Sequence, residues 1–165
     1  MVGHAASSAE IVERHRPEIL RYLGRMLRDT DEAEDACQDV FLRAHRALPR
    51  LRTDSNVRAW LYRIATNRAL NAGRRRTRAL ARAADVDVDA LAAPVDSPEA
   101  RADLRAVARA VEALPPRQRA ALVLRRLHGL DYREIAASLG GTEAGARANV
   151  YQAVRKLRTA LGEES

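Results

Sequence analysis

Residues 83–98 divide this chain into two parts. The segment has no basic residue, although the chain carries a formal net charge of +7, and it has four aspartates: Asp85, Asp87, Asp89 and Asp96. Asp and Val alternate at its centre as they would in a strand, but no partner strand is evident, and prolines stand at positions 94 and 98. We therefore predict an acidic flexible linker between two small domains, at residues 9–82 and 99–165.

Both flanking units have the composition of helices. Aromatic residues make up 4% of the chain, so small helical units packed by Ala, Leu and Val are expected rather than one large core. Apolar residues recur at helical spacing over about 9–27, 31–48 and 57–78, and again from 104 onwards. The predicted fold class is all-α. Pro17 is expected to bend or break the first helix, Thr30 or Asp31 to cap the second, and Leu127 to lie on an inner face.

The strongest local pattern, at residues 131–161, is that of a helix-turn-helix. Asp131 is placed to cap a short helix, Gly140 and Gly141 supply a sharp turn, and Thr142 is placed to cap a long second helix. The predicted buried stripe of that helix is Ala146, Val150, Ala153, Val154, Leu157 and Leu161. In such a motif the second helix enters the major groove of DNA. Its candidate DNA-contacting residues are Thr142, Glu143, Arg147, Tyr151, Gln152 and Arg155, with Arg147 placed to recognise guanine.

The charge and the cysteine content indicate what kind of partner the chain binds and in which compartment it acts. The chain is basic, with a pI of about 10.6, and its positive residues are mostly Arg, which suits contact with a polyanion such as nucleic acid. Cys37 is the single cysteine, so no internal disulfide can form, and a reducing compartment is indicated. We find no signal-peptide pattern and no apolar run of about 18 residues, so a cytoplasmic protein without membrane insertion is expected.

Four segments resemble sigma factors of the extracytoplasmic-function (ECF) type, the smallest class of the sigma-70 family. Residues 31–44 (DEAEDACQDVFLRA) resemble the family's polymerase-binding helix, and residues 58–70 (RAWLYRIATNRAL) resemble its helix for promoter melting and −10 recognition. Residues 114–119 (LPPRQR) and 132–136 (YREIA) resemble the opening of its −35 recognition domain. The resemblance implies a protein that binds core RNA polymerase and directs promoter-specific initiation, with no catalysis and no cofactor of its own.

The resemblance also implies roles for individual residues. Residues 9–82 would be sigma region 2, and one face of this region would dock on a basic coiled coil of the β′ clamp. That face consists of Asp35, Gln38, Asp39 and Leu42. The −10 element would be recognised by a loop, which would hold a flipped base, and by the helix that follows it. The residues assigned to this contact are Asp54, Ser55, Asn56, Arg58, Tyr62, Arg63, Asn67, Asn71, Arg74 and Arg75. Trp60 is assigned to the core, whereas Tyr62 is left open between the core and stacking on a base. Residues 99–165, as region 4, would meet the β flap and the −35 element.

Partners beyond core polymerase and promoter DNA, such as an anti-sigma factor, are left open, and so is one rival function. A stand-alone helix-turn-helix repressor would be a dimer and would bind duplex DNA unaided. An enzyme acting on DNA would need a reactive cluster, but the four histidines are scattered and no carboxylate group has metal-ligand spacing. We therefore predict neither catalytic nor metal-binding residues.

Overall fold

The computed structural model describes residues 7–52, 55–80 and 97–163, without the side chains of residues 8, 9 and 73–80. Over these ranges it is all-α, as predicted, with no strand. Its helices are α1 (Ser8–Leu27), α2 (Thr30–Ala47), a 3-10 turn (Leu48–Arg50), α3 (Val57–Leu80), α4 (Pro98–Glu112), α5 (Pro116–Arg126), α6 (Tyr132–Leu139) and α7 (Glu143–Ala160). Most of the predicted linker lies outside the described residues, and its last residue, Pro98, begins α4.

The first two helices differ from their predicted form in two details. α1 continues through Pro17 without a break. Proline costs this helix a backbone hydrogen bond, but the apolar face that follows is buried, with Ile19 and Leu23 at 0% exposure. The cap of α2 is Asp29 rather than Thr30 or Asp31, because the Glu32 N–H donates to Asp29 Oδ1 at 3.0 Å.

Helices α1, α2 and α3 pack on one another as an N-terminal bundle. Tyr22 of α1 and Thr66 of α3 form a buried polar pair in its interior, with their hydroxyl oxygens 2.8 Å apart. Since each hydroxyl satisfies the other, both polar groups are buried without losing a hydrogen bond. The pair therefore joins α1 to α3 at a defined register.

Helices α6 and α7 form the predicted helix-turn-helix. Asp131 and Glu134 make a reciprocal capping box at the start of α6, and Gly140 ends α6 with a φ of 72°, a conformation that costs glycine little. Thr142 caps α7 by accepting a hydrogen bond from the Gly145 N–H at 3.0 Å. Local capping chemistry thus sets both ends of the turn.

Two leucines that were predicted to be buried are exposed. Leu127 is 55% exposed because α5 ends at Arg126 and the chain turns away at this position. Leu161 is 40% exposed because it follows the last residue of α7, beyond the helices that cover Val150 and Ala153. Helical periodicity therefore predicted more burial than is found at the C-terminal ends of α5 and α7.

The two halves of the chain also pack against each other. α3 lies along α6, and α5 contacts both α1 and α3. One buried cluster therefore includes Leu61 and Ala69 of α3 together with Leu124 and Ile135 of the C-terminal half. Among the described residues, no helix is long and apolar enough to span a membrane.

Candidate functional site

The predicted docking face on α2 lies at the surface. Asp35, Gln38 and Leu42 are exposed, and Leu42 retains 49% of its accessible surface. The fourth member, Asp39, is half-buried because Arg68 of α3 reaches it, with Arg68 Nε donating to Asp39 Oδ2 at 3.1 Å. The face thus combines two carboxylates with one apolar side chain, an arrangement suited to a basic partner surface with an apolar contact.

Arg68 was not singled out from the sequence, because an ion pair between two helices depends on their packing. It lies beside the face rather than on it and holds the Asp39 carboxylate in one orientation. An ion pair that still reaches solvent at its carboxylate, as this one does, contributes little stability, typically about 0–1 kcal/mol. Its effect on the face is therefore geometric: one of the two carboxylates is oriented before any partner arrives.

The loop before α3 is engaged with the other half of the chain. Asn56 Oδ1 accepts a hydrogen bond from the Ala59 N–H at 3.0 Å and so caps α3. Asn56 Nδ2 donates to Glu134 Oε1 of α6 at 2.8 Å. Ser55 is half-buried, and Asp54 lies outside the described residues. In this arrangement both polar ends of the Asn56 amide are occupied.

One face of α3 presents an exposed polar row that could follow a DNA strand. Arg63, Asn67 and Asn71 recur every four residues, and all three are exposed. Arg74 and Arg75 lie further along the same helix, but their side chains are outside the description. Trp60 is half-buried and packs against the core, in line with its assignment.

Arg58 and Tyr62, also predicted to contact DNA, are instead covered by the packing of the two halves. Arg58 Nε pairs with Glu18 Oε2 at 3.1 Å, and Arg58 Nη2 donates to the His128 carbonyl at 2.6 Å. Tyr62 is 0% exposed. In this arrangement Tyr62 lies in the core, and Arg58, whose side chain keeps 35% of its exposure, is engaged by Glu18 and the His128 carbonyl.

Glu18 accepts hydrogen bonds from several side chains in this covered region. Burial raises its pKa, but hydrogen bonds from His15, Tyr62 and Arg58 outweigh that effect and hold the pKa of Glu18 below its ordinary value. Burial, together with the Glu18 charge, raises the pKa of Tyr62 above its ordinary value. Glu18 is therefore a carboxylate that accepts hydrogen bonds and Tyr62 a neutral donor, with its hydroxyl donating to Glu18 Oε2 at 3.0 Å.

The predicted −35 residues lie on the outer surface of α7. Arg147 is held on two sides, by Glu143 Oε1 at 3.5 Å and by the ring of Tyr132, whose centroid lies 4.8 Å from the guanidinium carbon. The remaining candidates, Tyr151, Gln152 and Arg155, are exposed. The hydroxyl oxygen of Thr142 is already used as the helix cap.

Tyr132 was missed as a supporting residue. Its ring is contacted by two guanidinium groups, with the guanidinium carbon of Arg147 at 4.8 Å and that of Arg125 at 4.5 Å from the ring centroid. Cation–π contacts of this kind orient an arginine without neutralising it. The three side chains belong to three different helices, α5, α6 and α7. No local sequence pattern therefore indicates that Tyr132 contacts the two arginines.

Comparison with known proteins identifies the family that this chain matches. Residues 11–79 match the family Sigma-70 region 2, and residues 104–157 match Sigma-70, region 4. Over 163 residues the chain is 34% identical to the ECF RNA polymerase sigma factor SigE of Mycolicibacterium smegmatis, which covers 94% of this chain and 62% of that relative. The chain therefore spans less than two thirds of that relative's length.

Two further comparisons cover more of the other protein. The RNA polymerase sigma-H factor of Pseudomonas aeruginosa is 34% identical over 163 residues, or 92% of this chain and 84% of that relative. The structure of CnrH in complex with the cytosolic domain of CnrY shares 26% identity and a TM-score of 0.70, covering 99% of this chain and 92% of that one. With both family regions in order and relatives matched over most of their length, the chain belongs to the sigma-70 family, in its group of ECF RNA polymerase sigma factors.

Proposed function

We propose that this chain binds core RNA polymerase and directs it to promoters, recognising a −10 element with α3 and a −35 element with α7, without catalysing a reaction itself. The observation that carries the proposal is that region 2 and region 4 occur in order along one chain. A protein with this role acts where polymerase acts, in the cytoplasm.

The α2 face is the proposed polymerase contact. Asp35 and Asp39 would attract the basic coiled coil of the β′ clamp, and the exposed Leu42 would add an apolar contact at the centre of the interface. Region 4 would contact the β flap. An anti-sigma factor is a further expected partner, because such partners are common in the family.

The −10 element is assigned to α3 in two parts. Arg63, Asn67 and Asn71 are exposed in the described arrangement and would follow the DNA backbone. Asn56 and Arg58 would contribute only after they leave Glu134 and His128. Tyr62 is buried in the described arrangement, where its hydroxyl contacts His128 of the other half, so its role at the −10 element stays a prediction.

The −35 element is assigned to α7. Arg147, in the second turn after the Thr142 cap, is placed to make paired hydrogen bonds to guanine, and Gln152 could recognise adenine. Arg155 would contact a phosphate. The exposure of these side chains on the outer helix of the helix-turn-helix supports the assignment.

Simultaneous recognition of both elements would require the two halves to separate. Positions −10 and −35 lie more than two turns of B-DNA apart, at about 34 Å for each turn, whereas α3 here lies directly against α6. The segment 83–98 could extend to at most roughly 55 Å. We therefore infer that the described arrangement is the free form and that the polymerase-bound form is more open.

Run-off transcription tests the proposal. Core polymerase with the protein should start transcription at a defined subset of a genomic promoter pool, and core polymerase alone should not. The free protein should bind duplex promoter DNA weakly in a gel shift at physiological salt. Tight, specific duplex binding by a dimer, with no effect on transcription start sites, would instead support the repressor.

A further inference from the structure

His128 joins the two halves of the molecule. It follows α5 in the C-terminal half, but its ring packs between two tyrosines of the N-terminal bundle. The ring centroid lies 5.6 Å from that of Tyr22, edge-on, and 5.3 Å from that of Tyr62. With 9% of its surface exposed, His128 is one of the few buried polar residues in the described chain. It therefore contacts the opposite half at a position where any change in its charge would matter.

The hydrogen bonds around His128 determine which ring nitrogen carries the proton. Tyr62 has one hydroxyl proton, and Glu18 accepts it at 3.0 Å. Since Tyr62 Oη also lies 2.8 Å from His128 Nδ1, the Nδ1–H must donate to that oxygen. The second nitrogen, Nε2, is then unprotonated, and it is buried with no hydrogen-bond partner among the described residues. The pocket thus fits a neutral imidazole.

A second proton on the His128 ring would disrupt this arrangement. It would place an unpaired N–H and a positive charge at Nε2, inside a pocket whose charged groups are Glu18, Arg21 and Arg25 of α1 and Arg58 of α3. Burial first, and then the nearby arginines, lower the pKa of His128 to about 4, while Glu18 opposes the shift. Glu18 attracts the new cation through space, but its carboxylate is bonded to His15, Arg58 and Tyr62 and makes no hydrogen bond to Nε2.

Other contacts cross the same boundary and do not depend on this proton. Asn56 Nδ2 donates to Glu134 Oε1, and Arg28 of the N-terminal half pairs with Glu112 of α4. The His128 carbonyl also accepts from Arg58 at 2.6 Å. The boundary is therefore a shared apolar cluster with polar contacts at its edge, and the His128 ring is the buried group in it whose charge can change near neutral pH.

We propose that His128 is a proton-sensitive latch: its neutral ring holds the two halves together, and its protonation releases them. The latch rests on the geometry of the boundary alone. Its consequence, that the closed form withholds Asn56 and Arg58 from a −10 element, additionally rests on the proposed function.

The direction of the pH dependence follows from proton linkage. In the open form the His128 ring is solvated, with an ordinary pKa of about 6.5, whereas in the closed form the pKa is about 4. The closed form binds fewer protons, so acid favours opening. The ratio of closed to open molecules should be constant above pH 6.5 and fall about tenfold per pH unit between 6.5 and 4.

Energy transfer between two dyes measures the separation directly in the full chain. One cysteine would replace exposed Arg43 of α2 and another exposed Lys156 of α7, in a Cys37→Ala background that removes the native thiol. We expect high transfer at pH 7.5 and a progressive loss from pH 6.5 to 4.5, while the helical circular dichroism signal stays constant. Unchanged transfer over that range, or a loss that follows unfolding of the helices, would refute the latch.

Two substitutions at the latch and one control identify the group responsible. His128→Phe keeps a ring between the tyrosines but cannot be protonated, and His128→Gln keeps an amide donor; in both variants transfer should not change with pH from 6.5 to 4.5. His15→Gln removes the histidine that bonds Glu18 at 2.8 Å and should keep the wild-type response. A pH response that survives in both folded His128 variants would overturn the proposal. Because neither polymerase nor promoter enters the assay, its failure would not affect the proposed function.

Discussion

Arg147→Ala should relax recognition of one base pair in the −35 element. Arg147 lies in the second turn of α7 with its side chain 62% exposed, beside the buried positions Ala146 and Val150. From there its guanidinium can make two parallel hydrogen bonds to a guanine, a contact worth about 1–3 kcal/mol of discrimination. Since 1.4 kcal/mol corresponds to a factor of ten, preference for that base pair should fall by about 5- to 150-fold.

The variant should remain folded, because the contacts that Arg147 makes within the protein are weak. The pair with Glu143 at 3.5 Å is exposed and separated by four residues, and such pairs are worth about 0.3–0.5 kcal/mol. The contact with Tyr132 adds about 0.5–1 kcal/mol. We therefore expect a loss of about 1 kcal/mol in the free energy of unfolding, so changes in promoter choice would not reflect unfolding.

The assay is a promoter library randomised across the −35 element and scored for transcription by core polymerase with each variant. Arg158→Ala is the matched control, because Arg158 is an exposed arginine in the last turn of the same helix. It should weaken transcription uniformly, as a lost phosphate contact does. Equal and sequence-independent losses for both variants would refute base recognition by Arg147 and transfer that role to Glu143, Tyr151 or Gln152.

Three further predictions test the docking face, the core and the turn. Asp35→Arg combined with Asp39→Arg should abolish co-purification with core polymerase without loss of helical signal, because both carboxylates reach solvent and reversed charge repels a basic surface; wild-type yield would contradict the docking assignment. Tyr22→Phe should lower the free energy of unfolding in urea by about 1–2 kcal/mol, since the buried hydroxyl of Thr66 loses its partner at 2.8 Å, and an unchanged midpoint would argue against that bond. Gly140→Ala should cost about 1–2 kcal/mol in the same measurement, because alanine is strained at a φ of 72° although its Cβ would meet nothing within 4 Å.

The features that were predictable from the sequence are those set by nearby residues. Asp131 and Thr142 cap their helices as expected, and Gly140 takes the left-handed conformation that ends α6. Capping and turn formation depend on atoms three or four residues apart, so a local pattern contains the needed information. The all-α class follows for the same reason. The DNA and polymerase contacts assigned from the family resemblance stay predictions.

Errors appeared where the outcome depended on more distant parts of the chain. Of the two outcomes expected at Pro17, a bend or a break, the break does not occur, because the buried face after Pro17 stabilises α1. Leu127 and Leu161 are exposed, although both continue an apolar periodicity, because each lies beyond the last helical residue and its neighbours do not cover it. Periodicity predicts the orientation of a side chain, but burial also requires an opposing surface.

The sequence by itself determined the helices, the caps of α6 and α7, the helix-turn-helix and the basic charge of this protein. Only the tertiary structure decided that the two halves close on each other, and with that the environment of Tyr62, Arg58 and His128. His128 contacts Tyr62 and Arg58, from which it is separated by 66 and 70 positions of sequence. Nothing in the local sequence around any of the three residues indicates this contact. Their burial depends on which helix faces pair across the boundary, a choice made by long-range packing that no local pattern encodes.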